Sequence, residues 1–153
     1  MQKIIADTLT KKNLTIAVAE SCTGGLISSE LTDIPGSSKY FMFGIVAYSN
    51  DIKTEILNVA KETILKHGAV SKETALEMAN NVRHLAKTNI GLGITGIAGP
   101  AGEEPLKPIG TVFISIAVGH HLYFKKFIFK GSRLKIRKSA TKAALKLLYE
   151  CLN

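Results

Sequence analysis

The stretch VAESCTGG, residues 18–25, closes a short apolar run, LTIAVAE at 14–20, with a serine, a cysteine and then two glycines. An almost wholly apolar run of this length is the mark of a strand covered on both faces, as in a parallel sheet. Small residues ahead of LISSELTDI (26–34) then announce a helix, which Pro35-Gly36 ends. A strand, a tight turn and a helix start make a βα unit with a turn rich in free backbone N–H groups. Such a turn has three uses: a nucleophile on Ser21 or Cys22, an anion cradle around Gly24-Gly25, or a plain connection.

The same alternation extends in both directions. Residues 2–12 have helical spacing, with Ile4, Ile5, Thr8 and Leu9 on one side. YFMFGIVAYS (40–49) is aromatic and β-branched and reads as a second buried strand, followed by two short helices in 50–59 and 60–68. Ser71, three residues before Thr74, is an N-cap for a helix whose Ala75, Met78, Val82 and Leu85 recur at core spacing. IGLGITG (90–96) is a third strand, and the runs 110–119 and 121–129 form a hairpin across His120-His121. A last helix starts near Arg133, with Ile136, Ala140, Ala143, Leu147 and Cys151 facing inward and Lys135, Lys138, Lys142 and Lys146 facing out. This order predicts one α/β domain over 1–153, a three-layer α/β/α sandwich on a mixed, mostly parallel sheet of about five strands.

A chain of 153 residues with a 46% hydrophobic and 21% charged composition can bury a substantial core and is not of the disordered class. No apolar run approaches the roughly 20 residues that span a bilayer, and the N-terminus lacks a signal-peptide core. The expectation is a soluble cytoplasmic chain without a membrane partner. Two cysteines and four histidines without ligand-like spacing speak for a reducing compartment and against a metal site. The net charge of +8 is concentrated beyond residue 119, where nine Lys/Arg face one acid, Glu150. A solvated helix face accounts for that stripe. Without interleaved aromatic residues it is a poor single-strand nucleic-acid platform, so a nucleic-acid partner is not expected.

In open α/β sheets ligands gather outside the carboxyl ends of the strands. The three segments placed there are SCTGG (21–25), YSNDIK (48–53) and TGIAGP (95–100), the last followed by a long polar loop to Gly110. Were they to converge, Ser21 could attack a carbonyl, with amides near Gly24 and Gly25 meeting the oxyanion. No histidine falls at a strand end, which leaves Lys53 as the better base, provided that desolvation lowers its pKa from about 10.4. Ser49 or Asn50 equally serves as a helix cap.

These segments, with PGSS (35–38), HGAVS (67–71), KPIGTV (107–112) and GSRLKIR (131–137), follow the order and spacing of one family. The sequence closely resembles the CinA C-terminal domain family, whose stand-alone members include nicotinamide mononucleotide deamidases. The molybdopterin-binding-like domain of longer CinA proteins has no counterpart here, which suggests the single-domain form. The resemblance implies hydrolysis of nicotinamide mononucleotide to nicotinate mononucleotide and ammonia, part of pyridine nucleotide salvage, with no metal or cofactor. It implies Ser21 as nucleophile and Lys53 or Tyr48 as the proton carrier. Thr23, Gly24, Gly25, Ser38 and Asn50 would line the pocket. Thr95, Gly96, Ala98 and Gly99 would hold the nucleotide, and Arg133, less strongly Arg137, its phosphate. A homo-oligomer, dimer or larger, also follows from the resemblance. One departure is Glu103 after Gly102, where the family often carries a second glycine, and an acid pointing inward there would disfavour a phosphate. The alternatives are a non-catalytic nucleotide-binding or competence-associated module, and a cysteine enzyme built on Cys22.

Overall fold

The structure, a computed structural model, describes residues 1–152. Its elements are α1 (Gln2–Lys11), β1 (Ile16–Glu20), α2 (Leu26–Thr32), a 3-10 turn (Ser37–Lys39) and β2 (Phe41–Val46). Then come α3 (Asn50–Glu55), α4 (Lys61–His67), α5 (Lys72–Leu85), β3 (Ile90–Gly96), β4 (Thr111–Val118), β5 (His121–Ile128) and α6 (Arg133–Leu152). The five strands form one sheet in the order β2-β1-β3-β4-β5. β1 lies parallel to both β2 and β3, whereas β4 is antiparallel to β3 and to β5, so β4 alone runs against the rest. This is the mixed α/β sheet that the alternating pattern predicts.

Strand alternation divides the core between two faces. Ile16, Val18, Ile90, Leu92, Ile94, Ile114 and Ile116 meet Ile5 and Leu9 of α1, Ile27 and Leu31 of α2, and Ile136 and Leu148 of α6. On the opposite face Ala17 and Ala19 meet Leu57, Val59, Met78 and Val82. No helix among the described residues is long and apolar enough to cross a membrane.

Three expectations need correction. Leu85, placed on the core stripe of α5, lies in the helix's last turn and is 50% exposed. The second strand is not buried: it is the sheet edge, its residues alternating between half-buried and exposed, with Met42 and Val46 open to solvent. Its covered apolar residues are only half-buried and divide between the two faces, Phe41 packing on the core beneath α2 and Phe43 and Ile45 on the opposite core. In α6 the buried seam advances by four residues, through Ile136, Ala140, Ala144, Leu148 and Leu152, so Ala143 and Cys151 fall to its flank and are only half-buried. The lysine stripe stays exposed as expected.

The alternating glycines of β3 face α5 and let the helix backbone touch the sheet. A Cβ on Gly91 would lie 2.0 Å from the carbonyl oxygen of Ala79, and one on Gly93 would lie 2.5 Å from the Ala75 carbonyl oxygen. Neither obstacle is a movable side chain. Gly91→Ala is therefore expected to destabilise by about 2–3 kcal/mol, as overpacking does. In a chain of this size that lowers Tm by roughly 5–10 °C in thermal melts.

Candidate active site

Because β1, β2 and β3 are parallel, their carboxyl ends share one sheet edge, and the segments that follow them meet there. They enclose an open cavity of about 250 Å³. From the first two segments Ser21, Tyr48, Asn50 and Lys53 line it. Thr95, Gly96, Ala98 and Gly99 do so from the third, and Arg133 from the start of α6.

At the floor stands Ser21, 8% exposed, its N–H bonded to the Ile94 carbonyl oxygen at 3.1 Å. Lys53 sits one turn into α3, a helix that Ser49 caps by accepting the Ile52 N–H at 3.1 Å. The cap explains "YSNDIK" locally, and the turn that it fixes delivers the lysine. Lys53 Nζ is 3.2 Å from Ser21 Oγ and donates to the Tyr48 carbonyl oxygen at 3.1 Å. The lysine is 2% exposed and has no carboxylate partner among the described residues. Burial disfavours its ammonium form and lowers the pKa to about 8, against a small opposing influence of Cys22. A neutral amine within hydrogen-bond distance of a serine hydroxyl is the geometry of a general base and its nucleophile.

The anion cradle expected at Gly24-Gly25 is already filled. The Gly24 N–H donates to the Ser21 carbonyl oxygen at 3.1 Å, and the Gly25 N–H donates to the Glu20 carboxylate at 3.0 Å. Neither amide is free to meet a ligand, and Thr23, Gly24 and Gly25 lie outside the cavity lining. They shape the turn instead, with Gly25 at φ 96°, a left-handed conformation that glycine adopts freely. The Thr23 hydroxyl is buried without a partner among the described residues. Ser38 also lies away from the cavity, exposed on the 3-10 turn before β2.

Arg133 binds the rim together, donating to the Gly99 carbonyl oxygen at 2.8 Å and to the Tyr48 hydroxyl at 2.7 Å. Tyr48 is 57% exposed, so its phenol belongs to the mouth and Lys53 to the floor. Arg137 is not a cavity residue. It donates to the carbonyl oxygens of Cys22 and Thr23 at 3.1 and 2.7 Å and clips the turn after Ser21 to α6. The Thr95 hydroxyl donates to the Ala69 carbonyl oxygen at 2.8 Å, tying the end of β3 to the segment before α5.

The acid that reaches the cavity is Glu104, not Glu103. Lys107 neutralises it at 3.1 Å and anchors that pair on the His67 carbonyl oxygen at 2.9 Å. Cys22 lines the wall, but desolvation raises its thiol pKa to about 12, and it remains a thiol at any ordinary pH. No group of three or more metal-ligating His, Cys, Asp or Glu side chains occurs among the described residues. Sequence reasoning missed Glu20, Glu104 and Lys107. An acid ending an apolar strand was the available signal for the first of them.

Residues 1–152 match the family model described as "CinA C-terminal domain". A protein of Caldanaerobacter subterraneus subsp. tengcongensis named for competence-damage induction is 51% identical over 137 residues, 90% of this chain and 33% of that protein. A "CinA-like protein" of Kosmotoga olearia is 48% identical over 152 residues, 99% of this chain and 37% of that protein. The chain thus spans little more than a third of the length of these relatives. The crystal structure of the competence/damage inducible protein CihA from Agrobacterium tumefaciens superposes with a TM-score of 0.95 at 37% identity, covering 99% of this chain and 93% of that one.

Proposed function

This chain belongs to the CinA C-terminal domain family, and we propose that it is an amidohydrolase that converts nicotinamide mononucleotide to nicotinate mononucleotide and ammonia. The observation that carries this reading is the buried Ser21–Lys53 pair, 3.2 Å apart at the floor of a cavity with an arginine at its mouth. The nicotinamide substrate is what the sequence resemblance supplies.

In this reading neutral Lys53 takes the Ser21 hydroxyl proton as Oγ attacks the carboxamide carbon. The tetrahedral intermediate collapses by breaking the C–N bond, and Lys53 returns its proton to the departing nitrogen, releasing ammonia. Water then attacks the acyl–Ser21 ester and gives a proton to Lys53. The ester bond breaks, Ser21 Oγ recovers a proton from Lys53, and the carboxylic acid formed gives its remaining proton to solvent as the carboxylate product leaves. Tyr48 and Arg133 hold the nucleotide at the mouth, with Arg133 supplying its unused N–H groups to the phosphate.

Ammonia release from nicotinamide mononucleotide by the purified protein tests the proposal. With Lys53 at about 8, kcat/KM should rise about tenfold per pH unit below that value and level off above it. Absence of nicotinate mononucleotide between about pH 6 and pH 9 overturns the reading. Binding without turnover favours the non-catalytic nucleotide-binding module.

A further inference from the structure

Glu20 closes β1 and immediately precedes the nucleophile, yet its carboxylate is fully buried and faces no cation among the described residues. Oε2 accepts the N–H groups of Gly25 and Ile27 at 3.0 and 3.1 Å, and Oε1 accepts the Ser28 N–H and hydroxyl at 2.9 and 2.7 Å. The amides at a helix start have no partner within the helix and carry partial positive charge. Here the protein's own carboxylate satisfies them, in bonds about twice as strong as neutral ones. The seat that a substrate anion would take at this turn is occupied.

We infer that Glu20 is a positioning residue that aims Ser21 at Lys53, an inference that rests on the proposed hydrolytic role of that pair. The backbone of Glu20 belongs to the sheet, its carbonyl oxygen accepting the Ala47 N–H at 2.8 Å, while its side chain belongs to α2. It therefore joins sheet to helix across the intervening turn. Successive strand side chains leave on opposite faces. Glu20 turns with Val18 toward α2, so Ser21 turns with Ala19 toward α3, where Lys53 waits. Arg137 grips the next two carbonyls from α6. With Glu20 on one side and Arg137 on the other, residues 20–25 are closed into a ring in which the serine has little freedom.

Glu20→Gln keeps the volume but replaces one acceptor oxygen by an NH₂ group that meets N–H donors. The expected result is a kcat about 10- to 100-fold lower, as misplacement of a reacting group by an ångström produces. KM should stay within about twofold, and the pH midpoint should remain at Lys53's value, because neither the mouth nor the lysine is touched. A second readout needs no substrate: the rate at which a fluorophosphonate reagent phosphonylates Ser21, releasing fluoride, should fall by a similar factor well below the melting temperature. Should Glu20→Gln fail to fold, Ser28→Ala removes one of the four bonds and should give a smaller fall in both rates. In Glu20→Ala, tens of millimolar formate should restore part of the labelling rate by reoccupying the helix start, which a purely structural role does not predict. Wild-type turnover and labelling rates in a folded Glu20→Gln overturn the inference. A wild-type protein that ignores nicotinamide mononucleotide but is labelled at a Glu20-dependent rate overturns the proposed substrate and leaves the inference standing. A wild type that neither turns over nor labels removes both.

Discussion

Ser21→Ala is expected to reduce ammonia release from nicotinamide mononucleotide by about 10³- to 10⁶-fold, the range for loss of a covalent nucleophile. Cys22→Ala should leave it within about threefold. The contrast matters because the two side chains are neighbours on the same turn and both line the cavity. Chemistry separates them. Ser21 Oγ has a buried amine at 3.2 Å to take its proton. Cys22 has its thiol pKa pushed to about 12 by burial, so at pH 8 only about one molecule in 10⁴ carries the reactive thiolate. Its Sγ also packs against Gly96, where a Cβ would lie only 3.1 Å away, which fits a wall residue. Steady-state ammonia assays on both variants decide the matter. Full activity in Ser21→Ala, or loss confined to Cys22→Ala, would reverse the assignment.

Lys53→Met should abolish turnover by at least about 10³-fold and, against the usual trend for a buried substitution, stabilise the protein. The folded state holds the lysine pKa at about 8, below its ordinary value of 10.5, because burial disfavours the charge. Between those two pH values the unfolded chain binds more protons than the folded one, so stability rises with pH across that window. Below pH 8 the cost of keeping an ammonium group at this site is present in full. Removing it at pH 7 should raise stability by on the order of 2 kcal/mol, discounted for the cavity's open side and for the Tyr48 carbonyl that loses a donor. Urea melts of the wild type should show greater stability near pH 10 than near pH 7 from this source, a dependence that Lys53→Met lacks. Lys53→Arg, which cannot give up its proton near neutrality, should be inactive without the stabilisation. A Lys53→Met protein that still hydrolyses the amide would remove the lysine from the mechanism.

The convergence at the sheet edge was legible because it depends on local patterns only. Apolar runs bounded by glycine and helix caps mark βα units, and parallel strands must present their carboxyl ends together. Ser21 and Lys53 were legible for the same reason, each being the chemically apt residue at a strand or cap boundary. What stayed hidden depends on direction, which residue type does not encode. Gly24 and Gly25 offered amides to any anion, and nothing in "ESCTGG" says that the anion is the chain's own Glu20. Of two adjacent acids, Glu104 turns inward and Glu103 does not, because Lys107 and the end of α4 hold the former. Ser38 belongs to a family block but rests on the outer turn before β2. The exposure of β2 reflects sheet order, which hydrophobicity along a single strand cannot reveal.

Helix α6 follows every strand in the chain, and its first two turns carry both Arg133 and Arg137. During synthesis Ser21 and Lys53 therefore leave the ribosome before the guanidinium groups that fix the Ser21 turn and the Tyr48 rim. A nascent chain has Ser21 and Lys53 but neither the clip on Cys22 and Thr23 nor the bridge from Gly99 to Tyr48. The docking of α6, a helix about 30 Å long, is thus the step that closes the rim and fixes the Ser21 turn.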